Sequence, residues 1–227
     1  MDIKKLRVAL DGPSGAGKSS VAKAIAARAG LIYVDTGALY RTVGLYMADH
    51  AIDAYATDEI IAALDNVRIE LAYENGEQIV RLCGENVGSR IRTEQASYYA
   101  SAVSKIPEVR AFLLKTQRDI AEGGGVIMDG RDIGTVIMPD AELKIFITAT
   151  PEERARRRFK EQAAKGIEVS YDEILENIIA RDKQDSERET APLKPADDAI
   201  VFVNDGYDLS ASVDMVYSLM ERRAGQL

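Results

Sequence analysis

The chain has 227 residues, 46% hydrophobic and 29% charged, with 29 lysines and arginines against 37 acidic residues for a net charge of −8. This is an ordinary globular composition, long enough to bury a sizeable core, and the acidic balance with 6% aromatic residues argues against a nucleic-acid surface, which needs a basic footprint and stacking rings. One cysteine, Cys83, and one histidine, His50, exclude an internal disulfide and the usual zinc ligand sets; without a leader-like N-terminus or an apolar run of about 20 residues, a cytoplasmic chain is expected.

Leu6 to Leu10 reads as a short strand ending at Asp11. A glycine-rich turn and a helical stretch, Val21 to Ala27, follow, with Gly30 as C-cap. Leu31 to Val34 is the next strand, ending at Asp35, and Thr36-Gly37 leads into a helix carrying Leu39, Val43 and Met47. The strand–helix–strand–helix order implies a parallel sheet with crossover helices. From about Ala54 the pattern changes. Thr57 caps a short helix, Asp58 to Leu64; Val67, Ile69, Leu71 and Tyr73 then alternate, and Asn75-Gly76 separates them from Gln78 to Leu82. Asn-Gly between two such runs is a hairpin signal, because both turn residues take positive φ. Residues from about 60 to 105 therefore read as an insertion. The main pattern resumes with a helix from Pro107 to about Ala121 and a strand, Val126 to Met128, ending at Asp129. Leu143 to Ile147 is another strand, Glu152 to Lys165 a short basic helix, and Ser170 with Glu173 a capping box for a helix to about Glu187, anchored by Ile174, Leu175, Ile178 and Ile179. Ala199 to Val203 and Ser210 to Arg223 are the last strand and helix.

Gly12-Pro13-Ser14-Gly15-Ala16-Gly17-Lys18-Ser19 matches G-x-x-x-x-G-K-[S/T] in full, between an apolar strand and a helix. The glycines let backbone N–H groups wrap a phosphate, and the following helix aims its positive end at the same anion. Lys18 reaches the β- and γ-phosphates and Ser19 offers a hydroxyl to Mg²⁺. Val126-Ile127-Met128-Asp129 adds a carboxylate at a strand's C-terminal end, where ligands collect in an open parallel sheet. Asp129 would act on the hydration shell of Mg²⁺; its bland alternative is to cap the next turn.

No Asn-Lys-x-Asp element of a guanine-specific switch is present, nor an ABC-type signature. A small-molecule kinase remains, and it needs a second anion site. Arg131 lies two residues past Asp129; Arg154, Arg156, Arg157 and Arg158 crowd one short helix; Arg181, Asp185 and Arg188 are spaced to share one helical face. Guanidinium groups bind phosphate in bidentate fashion; plain salt bridges of Arg181 and Arg188 with Asp185 and Glu187 are the alternative, and Arg156 reads as a solvated charge.

At Asp11–Lys18, Asp35-Thr-Gly-Ala-Leu-Tyr-Arg41, Ser101 through Pro107-Glu-Val-Arg110, Asp129-Gly-Arg-Asp-Ile-Gly-Thr135, and Arg181-Asp182 to Asp185 to Arg188, the chain resembles the bacterial cytidylate kinases of the nucleoside monophosphate kinase group, over essentially its whole length. The resemblance implies an α/β fold: a parallel-sheet P-loop core at about 1–35, 106–150 and 167–227, a monophosphate-binding region with its hairpin insertion at about 36–105, and a basic lid at about 151–166. It implies ATP with Mg²⁺ as co-substrate and CMP or dCMP as acceptor. ATP falls to Gly12 through Ser19, Ser20, Arg154 and Arg157, and Arg158 would close on the transferring group. Tyr40, Arg41, Arg131 and Arg188 would hold the acceptor phosphate, with Thr36 and Asp129 nearby. Arg181 and Asp185 would contact the ribose, and Ser101, Arg110 and Asp132 would read the base. Cytosine suits that set: a carboxylate accepts from its amine, and a guanidinium satisfies O2 and N3. On the residues alone Tyr40 is equally a core side chain, Ser101 equally a plain helix position, and Asp132 equally a cap for the turn before Ile133. A kinase for another acceptor and an ATP-binding protein without turnover also stay open. A monomer without nucleic-acid or membrane partners is expected.

Overall fold

The computed structural model describes residues 1–74 and 77–227. Its strands are β1 (Arg7–Asp11), β2 (Ile32–Asp35), β3 (Ile69–Glu74), β4 (Glu77–Leu82), β5 (Glu85–Asn86), β6 (Val126–Gly130), β7 (Leu143–Thr148) and β8 (Ile200–Val203). Its α-helices are α1 (Lys18–Ala29), α2 (Thr36–Asp49), α3 (Thr57–Ala63), α4 (Glu94–Val103), α5 (Pro107–Glu122), α6 (Pro151–Ala164), α7 (Tyr171–Glu187) and α8 (Leu209–Gln226). The chain forms two compact units, Met1–Ile32 with Gly124–Leu227, and Tyr33–Gly123.

In the first unit β6, β1, β7 and β8 lie side by side in that order, all parallel. Ile32, which opens β2, donates its N–H to Gly125 O at 2.8 Å beside β6. A parallel strand flanked by others is covered on both faces, so its sequence reads as a continuous apolar run. Val8, Ala9 and Leu10 of β1 and Val126, Ile127 and Met128 of β6 are accordingly fully buried. The register sets Asp11 opposite Gly130 and Leu10 opposite Asp129, which brings the two strand-end carboxylates to the same end of the sheet. Helices α6 and α7 pack on each other around Ala155, Ile174 and Ile178. Ile179, expected to help anchor α7, is exposed; the i, i+4 pair Ile174 and Ile178 lies on the buried stripe with Leu175 packed beside it, and Ile179 is turned about 100° away from Ile178.

The second unit carries α2 to α5 and the antiparallel sheet β3-β4-β5. The β3–β4 pairing runs from Ile69 opposite Leu82 to Glu74 opposite Glu77, so the antiparallel hairpin strands stand where alternation put them; the Asn75-Gly76 turn lies outside the described residues. One apolar cluster joins Leu39, Val43 and Met47 of α2 to Ile60, Val80, Leu82, Val103 and, from α5, Val109 and Leu113. Through that cluster α5 belongs to this unit, whereas the sequence groups it with the core from residue 106.

Two cap expectations change. Thr57 is the first residue of α3, and Ala56 precedes it without a side-chain cap. Ser170 Oγ accepts from Glu173 N at 3.5 Å, one half of a capping box. No helix among the described residues is long and apolar enough to cross a membrane.

Candidate active site

The P-loop turns from β1 into α1 through backbone that only glycine tolerates. Gly12 has φ +145°, and a Cβ there would lie 1.9 Å from Ile147 O. Gly17, at φ +93°, is the N-cap of α1 and leaves the helix's first N–H groups without a side-chain cap. Such uncapped amides, with the helix dipole behind them, form an anion site. Lys18 is buried, and its Nζ donates to Pro13 O at 2.7 Å. Burial first, then the nearby positive charge of Arg131, pulls its pKa down to about 7; Asp129, Asp11 and Asp185 oppose the shift. Ser19 Oγ donates to Asp129 Oδ2 at 2.6 Å. Two hard oxygens thus meet at the start of α1, a donor set that suits Mg²⁺.

Asp11, read only as a strand end, proves central to this unit. Its two carboxylate oxygens accept from Ile133 N and Gly134 N, each at 2.7 Å. It thereby ties the end of β1 to the turn that follows Arg131 and Asp132. Burial outweighs those two hydrogen bonds and pushes its pKa up to about 6. Asp132 is also buried, and its side chain makes no cap bond to the turn it precedes.

Arg131 Nε donates to Asp185 Oδ2 at 2.9 Å, and its Nη1 donates to Gly130 O. A planar guanidinium held on its Nε edge keeps a fixed orientation. Arg181 and Asp185 lie within α7, which ends at Glu187; Arg188 is its C-cap, with φ −66° still helical and ψ 140° extended, so its side chain leaves on the face of Arg181 and Asp185 while the chain beyond it turns away. Arg188 Nε donates to Ala191 O at 2.6 Å, and Leu193 N returns to Asp185 O at 2.8 Å. The segment after α7 is thus folded back on the helix end.

The arginines of α6 separate by depth. Arg154 is 2% exposed. It donates to Ala149 O, to Ser14 O of the P-loop at 3.1 Å, and by both terminal nitrogens to Asp182. Arg157 is half-buried, bound to Glu153 Oε1 and to Asn204 O. Arg156 pairs with Glu153 and is exposed, as is Arg158. The first turn of the expected lid is therefore fastened to the P-loop.

In the second unit Asp35 caps α2 by accepting from Ala38 N at 2.9 Å, and its other oxygen accepts from Arg41 Nη2 at 2.6 Å. Thr36 is buried in the first turn of α2, and Tyr40 packs against the apolar cluster. Arg110 is buried, with Cζ 5.7 Å from the centre of the Tyr40 ring and Nη1 donating to Ser104 O, a cation–π arrangement. Ser101 is half-buried on α4.

Sequence reasoning missed Asn204, which sits just past β8 and donates from Nδ2 to Ala16 O at 2.9 Å. The one available signal was its place, a polar residue directly after an apolar parallel strand.

The model of the cytidylate kinase family matches residues 8–222. The cytidylate kinase of Caldicellulosiruptor saccharolyticus is 48% identical over 98% of this chain and 99% of its own length. That of Bacillus pumilus is 49% identical over 87% and 88%. Among solved structures, an uncharacterized protein from Eubacterium ventriosum shares the fold at a TM-score of 0.52 and 13% identity, covering 95% of this chain and 98% of its own.

Proposed function

Because the chain belongs to the cytidylate kinase family, we propose that it transfers the γ-phosphoryl group of ATP to CMP or dCMP, giving ADP and CDP or dCDP. The observation that carries this reading is that Asp11, at the end of the strand leading into the P-loop, accepts from Ile133 N and Gly134 N and so seats the turn after Arg131 at the P-loop, with the Arg131 guanidinium held by Asp185. The P-loop cation and an acceptor-site guanidinium act on each other, with Asp129 and Asp185 as the compensating carboxylates. A protein that only sensed ATP has no use for the second cation.

ATP lies along residues 12–20, with Lys18 on its β- and γ-phosphates. Ser19 would hold Mg²⁺ directly and Asp129 through water. When bound, the ion neutralises charge on the β- and γ-oxygens. Arg131 and Arg188, with Tyr40 and Arg41, orient the acceptor phosphate for in-line attack. That phosphate is already ionised near neutral pH, so no general base is required. Arg181 and Asp185 hold the ribose, and Ser101, Arg110 and Asp132 read the base. Catalysis is then positioning and charge stabilisation, to which guanidinium groups contribute on the order of 10³–10⁵ in rate. Arg157 and Arg158 approach the phosphates from α6, and closure of that helix's outer part excludes water.

A coupled assay of ADP release with ATP and CMP, dCMP, UMP or AMP tests the acceptor. CMP and dCMP are expected to give by far the highest kcat/KM. Uracil opposes an oxygen to Asp132, and an unpaired buried polar group costs more than a size mismatch. AMP or UMP turned over as well as CMP would overturn the assignment of the base.

A further inference from the structure

Asn204 lies outside the nucleotide-binding motif, yet its side chain holds one of the motif's own carbonyls. Ala16 O can only accept, so the Asn204 atom facing it at 2.9 Å is the amide nitrogen. The carboxamide's oxygen is left for Ser212, whose Oγ lies 2.7 Å away. Ser212 Oγ is equally near the Asp208 carbonyl one turn back in α8. Ala16, Asn204 and Ser212 are all buried, at 0%, 3% and 1% exposure, so water does not replace these bonds. The Asn204 backbone is fixed as well. Its N–H donates to Thr148 O at 2.7 Å, and its carbonyl accepts from Arg157 Nη2 at 2.5 Å.

Peptide planarity gives the contact a consequence. In a trans peptide the carbonyl of one residue and the N–H of the next point in opposite directions. Holding Ala16 O toward Asn204 therefore turns the Gly17 N–H to the other side. Gly17 is the N-cap of α1, where amides and dipole converge on an anion. The fit is close: a Cβ at Gly17 would lie 2.9 Å from Asn204 Nδ2.

We propose that Asn204, oriented by Ser212, is a positioning residue for nucleotide binding, setting the 16–17 peptide so that the Gly17 N–H faces the phosphates before ATP arrives. The inference rests on the reading of the P-loop as an ATP site. An amide aimed in advance binds the nucleotide equally in the ground and transition states, so its loss raises KM for ATP and leaves kcat nearly unchanged. The acceptor side is untouched.

Asn204→Asp keeps the size and the acceptor for Ser212 but presents an oxygen to Ala16 O. Asn204→Leu removes both bonds. Each is compared with wild type by calorimetric titration with ADP and Mg²⁺, by KM for ATP and for CMP, and by thermal unfolding. The expected result is at least a tenfold rise in the ADP Kd and in KM for ATP, with KM for CMP within twofold of wild type. Should both substitutions prevent folding, Ser212→Ala decides, since it keeps the Asn204 amide and removes its orienting hydroxyl, together with that hydroxyl's contact to Asp208 O in the first turn. A threefold or greater rise in its ADP Kd supports the proposal, and a wild-type value overturns it. Folded Asn204 variants with wild-type ADP affinity, or with ATP and CMP affinity lost in equal measure, also overturn it. Wild-type protein that binds no ADP would instead remove the P-loop reading beneath it.

Discussion

Lys18 sits in the P-loop as a buried ammonium leaning on Pro13 O, its pKa pulled down to about 7 by burial and by Arg131. Its proposed role is to meet negative charge that arrives with the nucleotide and grows during transfer. Lys18→Ala is expected to lower kcat by about 10²–10³, the usual loss for one preorganised donor to a developing anion, with an unchanged circular dichroism spectrum; turnover within a few-fold of wild type would refute the role. Asp11 permits a pH prediction. Burial raises its folded-state pKa from 3.8 to about 6, so over that window the folded chain binds more protons than the unfolded one. The stability tied to this group is present below about pH 4 and is lost as pH rises through about 6, a change of about 3 kcal/mol. Urea unfolding of wild type and Asp11→Asn at pH 4 and pH 7 measures it: the advantage of wild type over the variant should shrink at the higher pH. A difference that stays constant, or grows, contradicts the burial argument.

At the scale of elements, α6 divides into an anchored start and a solvent-facing remainder. Arg154 is bonded to the P-loop, to the end of β7's loop and to Asp182 of α7, so a charge that looked like part of a lid holds three segments together. Arg154→Ala should lower unfolding stability by about 2–3 kcal/mol. That is below the roughly 3–5 kcal/mol of a fully buried pair, because Asp182 keeps 27% of its side chain exposed. Arg158→Ala, at an exposed position, should stay within about 0.5 kcal/mol of wild type while slowing turnover. Denaturant melts with matched kinetics separate the two. Equal stability of both variants would contradict the anchored reading of α6.

For the whole molecule, what could be read from the sequence was what local spacing encodes. The P-loop was legible because each residue of 12–19 acts within one turn. Strands β1 and β6 were legible because burial on both faces leaves unbroken apolar runs, and the β3–β4 pair because alternation is a period of two. Contacts far apart in sequence were not legible. Nothing near Asn204 indicates that its amide reaches Ala16, 188 positions away, or that Asp11 seats the turn at Ile133. The turn beyond Arg188 was not legible because the spacing of Arg181, Asp185 and Arg188 does not mark where α7 ends. The grouping of α5 was misjudged because Val109 and Leu113 find their partners in α2, which no window around residue 107 contains.

In the proposed reaction one phosphoryl group passes from the nucleotide on the P-loop to a nucleoside monophosphate. Incubation of the protein with CMP and ATP labelled at the γ-phosphorus, followed by separation of the nucleotides, tests it most directly. The label is predicted in CDP, in step with ADP formed. Label released as inorganic phosphate, with CMP unaltered, would contradict it.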